Sequence, residues 1–248
     1  MADQNSTSRV AVITGGSRGI GRQTAVRLAD QGVAVVINYA SNDEEATAAV
    51  AEVTDRGGRA LAVRADVADE KAMAEVFEQA GQAFGGVDIL VHAAGRMALA
   101  PLAELDLDVL DAVHRTNIRG TFVANQLAAR RLRPGGSIVN FSTSVLGTSF
   151  PTYSAYAASK GAVEAMTLIL ARELRGRDVT VNAVAPGPTA TDLFFDGKDE
   201  QQIARLADAV PLQRLGTPGD IAELVAFLTS AAGHWVNGQN IRVNGGLA

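Results

Sequence analysis

Thr14-Gly15-Gly16-Ser17-Arg18-Gly19-Ile20-Gly21 links an apolar run, Arg9–Thr14, to an Ala- and Leu-containing stretch, Ile20–Asp30. A buried strand, a glycine turn and a helix, in that order, open an α/β fold. Glycine reaches positive φ without steric cost and lets a ligand approach the backbone. The helix that follows presents free N–H groups and a partial positive charge, which suit a diphosphate. The spacing is TGxxxGxG rather than GxGxxG. Its position in the first strand–helix unit points to dinucleotide binding through Gly15, Ser17, Arg18, Gly19, Ile20 and Gly21.

Outward from this turn, short β-branched runs alternate with longer Ala/Leu/Glu-rich stretches. Strands are expected at Arg9–Thr14, Val33–Asn38, Ala60–Arg64, Asp88–His92, Ser137–Phe141, Thr180–Val184 and Asn240–Val243. They are continuously apolar, as strands covered on both faces are. Helices are expected at Ile20–Asp30, Asp43–Arg56, Glu70–Phe84, Leu107–Arg131, Tyr156–Arg175, Asp199–Ala209 and Pro218–Ser230. The β-α-β-α order implies a doubly wound parallel sheet with helices on both faces. With no linker, repeat or low-complexity block, residues 1–248 read as a single domain. Residues 1–8 are expected to be a flexible tail, and residues 187–209 a substrate lid whose Leu193, Phe194 and Phe195 pack on something apolar.

The chain of 248 residues is 47% hydrophobic and 20% charged, the make-up of a globular protein and not of a disordered one. Its net charge of −5 and 5% aromatic content argue against a nucleic-acid groove. Absence of cysteine excludes disulfides and cysteine-ligated metals, and the three histidines are scattered, so no metal is expected. No run reaches the ~18–20 apolar residues of a membrane span, and no signal-peptide core opens the chain, which fits a cytoplasmic protein. His114 and Trp235 read as packed surface or interface groups.

An acid at the end of the second strand would bind an adenosine 2′-OH and repel a 2′-phosphate. Here that position holds Asn38-Tyr39-Ala40-Ser41, and the first acid is Asp43. Arg18 can reach a phosphate, and Asn38 and Ser41 can donate to its oxygens, so NADP(H) is favoured over NAD(H). Further along, Tyr156-Ala157-Ala158-Ser159-Lys160 puts a phenol and an ammonium one helical turn apart on one face. With three Tyr and three Lys in the chain, chance predicts about 0.04 such pairs. A tyrosine titrates near ~10 and needs a shift of about 3 units to serve as acid/base near neutrality. A fixed ammonium favours the phenolate.

Together these residues resemble the short-chain dehydrogenase/reductase family in its compact form of about 250 residues, over nearly the whole chain. Thr14–Gly21 matches TGxxxGxG and Tyr156–Lys160 matches YxxxK. Asp66-Val67 matches the family's adenine-contacting pair. His92-Ala93-Ala94-Gly95 resembles Asn-Asn-Ala-Gly with both asparagines replaced, leaving Ala93, Ala94 and Gly95 as backbone contacts. Pro186-Gly187-Pro188-Thr189 matches the nicotinamide-carboxamide segment, with Thr189 as its hydrogen-bonding residue and Thr191 beside it. Val243-Asn244-Gly245-Gly246 resembles the C-terminal strand and turn.

The resemblance implies a Rossmann-type seven-stranded sheet of order 3-2-1-4-5-6-7 and reversible hydride transfer between a nicotinamide and a carbonyl or alcohol carbon. By analogy Tyr156 gives the proton to the carbonyl oxygen. Lys160 lowers the tyrosine's pKa and binds the nicotinamide ribose, and Asn117 holds a relay water leading to Lys160. The orienting hydroxyl is either Ser144, from the Ser-Val-x-Gly pattern, or Thr143, thirteen residues before the tyrosine; Ser144 is chosen here.

A pocket of Met97, Ala98, Leu99, these hydroxyls, Val145 and Leu193–Phe195 looks apolar and lacks an arginine clamp. The lid resembles that of 3-oxoacyl-[acyl-carrier-protein] reductase-like members. The implied activity is NADPH-dependent reduction of a ketone, 3-oxoacyl or a related carbonyl, to a secondary alcohol. The alternatives are an NAD(P)-dependent sugar or secondary-alcohol dehydrogenase, and a non-catalytic cofactor-binding regulatory protein. The family also implies a homotetramer, built through the Tyr156 helix, its neighbour and the last strand.

Overall fold

The computed structural model describes residues 8–248. Seven strands, β1 (Val10–Thr14), β2 (Ala34–Tyr39), β3 (Ala60–Arg64), β4 (Val87–His92), β5 (Leu132–Phe141), β6 (Val179–Pro186) and β7 (Asn240–Val243), form one sheet. Its order is β3-β2-β1-β4-β5-β6-β7 and every pairing is parallel. Successive side chains of each strand enter different cores, which explains the unbroken apolar runs. Val10 and Val12 of β1 pack with α3 (Glu70–Phe84), α5 (Gly120–Arg131) and α7 (Ser154–Glu173). Ala11 and Ile13 pack with α1 (Gly19–Ala29), α2 (Asp43–Thr54) and α10 (Pro218–Leu228). The connection leaves β1 toward β2 on one side and β4 lies on the other, so a crevice opens at the strands' C-terminal ends.

Most expected elements are present within one or two residues, and three differences affect the site. The long helix expected at Leu107–Arg131 is broken into α4 (Leu107–His114), a π-helical turn at Arg115–Arg119, and α5. Such turns interrupt the regular hydrogen-bond ladder; this one contains Asn117. Two short helices absent from the sequence reading, α6 (Val145–Thr148) and α8 (Asp192–Phe195), follow β5 and β6, and α9 (Glu200–Asp208) completes the segment expected to act as a lid. The expected tail lies outside the described residues except for Ser8, whose hydroxyl donates to Gly32 O and so ties that residue down. Among the described residues no helix is long and apolar enough to cross a membrane.

Buried amides fix the strand ends. Asn140 of β5 and Asn125 of α5 exchange hydrogen bonds of 2.8 and 3.1 Å, and Asn140 also donates to Thr167 Oγ1 of α7 at 3.1 Å. This network holds α5 and α7 against the sheet at the level of the crevice, with each amide partnered as a buried polar group requires.

Candidate active site

The glycine turn is backbone architecture. Gly15 and Gly19 have φ of +63° and +54°, the left-handed region. A Cβ on Gly15 would lie 2.9 Å from Ala94 backbone atoms, and one on Gly21 would lie 2.2 Å from Gly15 O. Among the described residues no side chain caps α1, and its first turn holds no acid, whereas α2, α3, α9 and α10 are each capped and carry acids there. The N–H groups of Gly19, Ile20 and Gly21 stand at a positive helix end without side-chain partners, a fit for a dinucleotide's diphosphate. Ser17 is buried beneath the turn, and Arg18 is exposed beside it.

Asn38 departs from expectation. It is buried, and its amide donates to Val63 O and Ala65 O at 3.3 and 3.0 Å. Its backbone carbonyl accepts from Gly16 N–H at 3.0 Å. The side chain therefore supports the β3 end and the backbone the glycine turn, and the amide's donors are not free for a phosphate. Its neighbours behave differently. Tyr39 donates to Asp43, Ala40 O accepts from Arg64 Nε at 3.1 Å, and Ser41 is exposed. Arg64, missed by the sequence reading, thus brings a second guanidinium to this end of the crevice.

At the position expected to meet adenine, Asp66 accepts from Ala68 N–H at 2.9 Å and pairs with Arg115. Burial works to raise its carboxyl, but these two partners outweigh it and hold it below the usual range. Val67 is buried against Gly120, where a Cβ would meet it at 2.6 Å. Ala93 and Ala94 N–H donate to the Thr14 carbonyl and hydroxyl, each at 3.2 Å, which joins the β4 end to the turn. His92 Nδ1 lies 2.9 Å from Thr14 Oγ1. Burial first, then the Lys160 charge, push the imidazole down to about 3, so it is neutral.

Tyr156 and Lys160 lie on one face of α7. Lys160 is buried and donates to Phe141 O at 2.7 Å, with Nζ 5.8 Å from the Tyr156 ring centre. Burial lowers its ammonium to about 8. Tyr156 is half-buried, its open side facing a cavity. Burial pushes its phenol up to about 12 against the pull of a hydrogen bond from Thr143, and Tyr153 adds to the rise. The expected lowering of the phenol is absent in the chain by itself, because the lysine is turned to a carbonyl and burial weakens its own hold on the proton. The phenol is consequently protonated at neutral pH, a proton donor.

The hydroxyl that meets this phenol is Thr143. Ser144, the residue chosen from the sequence, donates to Ala185 O at 3.0 Å and stands as the N-cap of α6. Asn117 is also differently used. Its amide oxygen accepts from Arg96 N–H at 2.8 Å, and its Nδ2 donates to Arg96 O at 2.8 Å and Ser159 Oγ at 2.9 Å. The side chain is committed to holding the segment after Gly95. The Asn117 carbonyl accepts from Thr121 Oγ1 at 2.6 Å.

Between these groups and the 187–209 segment lies a cavity of about 150 Å³. Of the expected residues, Met97, Val145, Leu193 and Phe194 line it, as do Gly95, Pro186, Gly187, Thr189 and Thr191; Ala98, Leu99 and Phe195 do not. Phe150, Tyr153, Leu206 and Leu247 also line it and were not expected, since they come from three separate stretches with no shared motif.

A family model described as Enoyl-(Acyl carrier protein) reductase matches residues 15–248. A short-chain type dehydrogenase/reductase of Picea abies is 44% identical over 248 residues, with 96% of this chain and 92% of the relative covered. An NADPH-dependent aldehyde reductase-like chloroplastic protein of Arabidopsis thaliana is 41% identical, with 96% and 93% covered. Among solved structures, a short-chain dehydrogenase of Burkholderia cenocepacia J2315 in complex with NADP superposes with a TM-score of 0.91 at 39% identity, covering 98% of this chain and 99% of that one.

Proposed function

This chain is a member of the short-chain dehydrogenase/reductase family, and from that premise we propose that it is an NADPH-dependent oxidoreductase reducing a ketone or related carbonyl to an alcohol. The observation that carries the reading is the Tyr156 phenol standing with Thr143 and the buried Lys160 on the wall of one apolar cavity, beside the glycine-turn crevice. NADP(H) is the cofactor. The free α1 N-terminus, Arg18 and the absence of an acid from Asn38–Ser41 support it, as do the NADP bound to the Burkholderia relative and the NADPH dependence named for the Arabidopsis one.

The α1 N–H groups would hold the diphosphate, Arg18 and Ser41 the 2′-phosphate, Asp66 and Val67 the adenine side, and Pro186–Thr191 the nicotinamide carboxamide. When bound there, the cofactor would supply the hydride that the carbonyl carbon accepts. Thr143 and Tyr156 hydrogen-bond the carbonyl oxygen, and Tyr156 gives it a proton as negative charge develops there. Lys160 holds the ribose and returns a proton toward the phenol. The Asn117 carbonyl would hold the water that feeds Lys160. Residues 187–209 close over the cavity as a lid, within a single catalytic domain. The 3-oxoacyl group is the member of the substrate class suggested by the family resemblance.

A homotetramer fits the exposed apolar side chains Phe122, Leu168 and Ile169 on α5 and α7, and Trp235, 99% exposed near the β7 edge. A monomer mass in light scattering at micromolar concentration would contradict it. The function is tested by following NADPH consumption with a panel of ketones and aldehydes and identifying the alcohol formed. Sugar oxidation without ketone reduction would establish the dehydrogenase alternative, and tight NADPH binding without any turnover would establish the regulatory one.

A further inference from the structure

The cavity's walls narrow the substrate further, resting on the carbonyl-reductase reading above. Two rings, those of Tyr153 and Phe150, follow one another away from the phenol. Tyr156 meets Tyr153 edge-on at 6.5 Å between centres, and Tyr153 meets Phe150 at 6.2 Å. Phe194 enters the same cavity from α8, with Leu206 from α9 and Met97 from the β4 side. A carbonyl whose oxygen is held by Tyr156 and Thr143 has its substituent in contact with this row.

Charge and hydrogen bonding point the same way. Among the described residues, Lys160 is the single charged side chain on the cavity wall, and it is bonded to Phe141 O. A carboxylate or phosphate near the reacting carbon finds no free cation there. Lys198, outside the wall, donates to Phe194 O at 2.7 Å and lies 5.0 Å from that ring's centre. A hydroxyl has a single proton to donate. Ser142 gives its proton to Glu164 at 2.6 Å, Ser144 to Ala185 O and Thr189 to Gly187 O, the last two at 3.0 Å. A polyhydroxylated substrate therefore meets few donors, and flat apolar surface is what the walls offer.

We infer that the preferred substrate is a neutral carbonyl compound with an aromatic ring next to the carbonyl, placed against Tyr153 and Phe150. Offset and edge-to-face ring contacts favour such a substituent over a saturated one of equal size. The ring row thus sets specificity, while Tyr156 and Thr143 set reactivity.

The test compares acetophenone, cyclohexyl methyl ketone and octan-2-one, which have equal carbon counts, together with 4-acetylbenzoate. The expected kcat/KM for acetophenone exceeds those of the two saturated ketones about tenfold, and the added carboxylate abolishes that advantage. Tyr153→Leu, and independently Phe194→Leu, reduce the aryl-to-linear ratio to within about threefold, with the NADPH dissociation constant unchanged. Calorimetric binding of 1-phenylethanol and 1-cyclohexylethanol to the NADP-bound enzyme reads the same preference without turnover. Equal turnover of the three neutral ketones overturns the inference and leaves the reductase reading intact. If no ketone is reduced, the reductase reading fails, and the alcohol pair decides the inference: tighter phenyl binding supports it, and equal binding overturns it.

Discussion

The glycine-turn crevice and the ring-walled cavity adjoin at the same strand ends, yet they are made of opposite materials. The crevice is backbone: uncapped N–H groups, two left-handed glycines and a helix end, all within eight consecutive residues. The cavity is side chains, drawn from residues as far apart as Met97 and Leu247. A diphosphate is the same in every dinucleotide, so a fixed backbone cradle serves it. A substrate differs from enzyme to enzyme, and replaceable side chains on loops and short helices serve that variety. Mutations should therefore separate the two regions cleanly, one losing cofactor affinity and the other losing chemistry or selectivity.

The sharpest separation is expected from Tyr156→Phe. Removing the phenolic proton takes away the acid while keeping the ring. Turnover should fall by about 10³- to 10⁴-fold, the upper range for a positioned acid, with NADPH affinity changed less than about threefold. Single-turnover kinetics together with nicotinamide-fluorescence titration measure both. A comparable loss of NADPH binding would merge the two regions and remove the basis of the comparison.

Lys160 sits where the regions meet, and its burial has a stability consequence with a definite sign. Its ammonium is lowered from 10.5 to about 8, so the folded chain binds fewer protons than the unfolded one between those values. The cost of the buried charge is full below pH 8 and lapses as pH rises toward 10.5. Lys160→Met should abolish turnover and yet stabilise the fold at pH 7 by about 2 kcal/mol. That is the ~3 kcal/mol implied by the shift less about 1 for the orphaned Phe141 carbonyl. Thermal melts at pH 7 and pH 10 check it. A gain that does not shrink at the higher pH would show that the charge is not its source.

Within the cavity, Thr143→Ala should cost about 10² in kcat through loss of one donor to the developing oxyanion, whereas Ser144→Ala should cost less than about threefold. The reverse order would restore the sequence's choice of Ser144.

That contest shows what the sequence could and could not carry. Gly15, Gly19 and Gly21, and the Tyr156–Lys160 pair, were legible because each group's constraint is local: a turn geometry, or one helical turn. The strands and their parallel order were legible because two-sided burial leaves continuous apolar runs. The choice between Ser144 and Thr143 turns on which of two adjacent hydroxyls faces the phenol, and a strand end running into a short helix has no periodicity to fix that. The π-helical turn at Asn117 was hidden because one extra residue in a turn barely disturbs the helical pattern. Asn38 misled because a polar residue at a strand end reads as exposed, and its burial beneath β3 is a tertiary fact. Phe150, Tyr153, Leu206 and Leu247 converge only in three dimensions.

Arg18 gives the smallest expected effect and the finest division within the crevice. It lies outside the backbone cradle, exposed at the N-cap of α1, so it can select the cofactor without building its site. Arg18→Ala should weaken NADPH binding about tenfold, the ~1.4 kcal/mol of one charge-assisted contact in partly solvated surroundings, and leave NADH binding within about twofold. Because Asn38 is turned inward, Asn38→Ala should affect stability and not the NADPH/NADH ratio, which separates the two residues in one pair of titrations. The contact is exposed, so the Arg18 effect should also shrink as salt is raised. If both cofactors lose affinity equally in Arg18→Ala, the guanidinium serves the diphosphate. The 2′-phosphate would then have to be read by the remaining cation at that end of the crevice, Arg64, and Arg64→Ala would become the variant that alters the ratio.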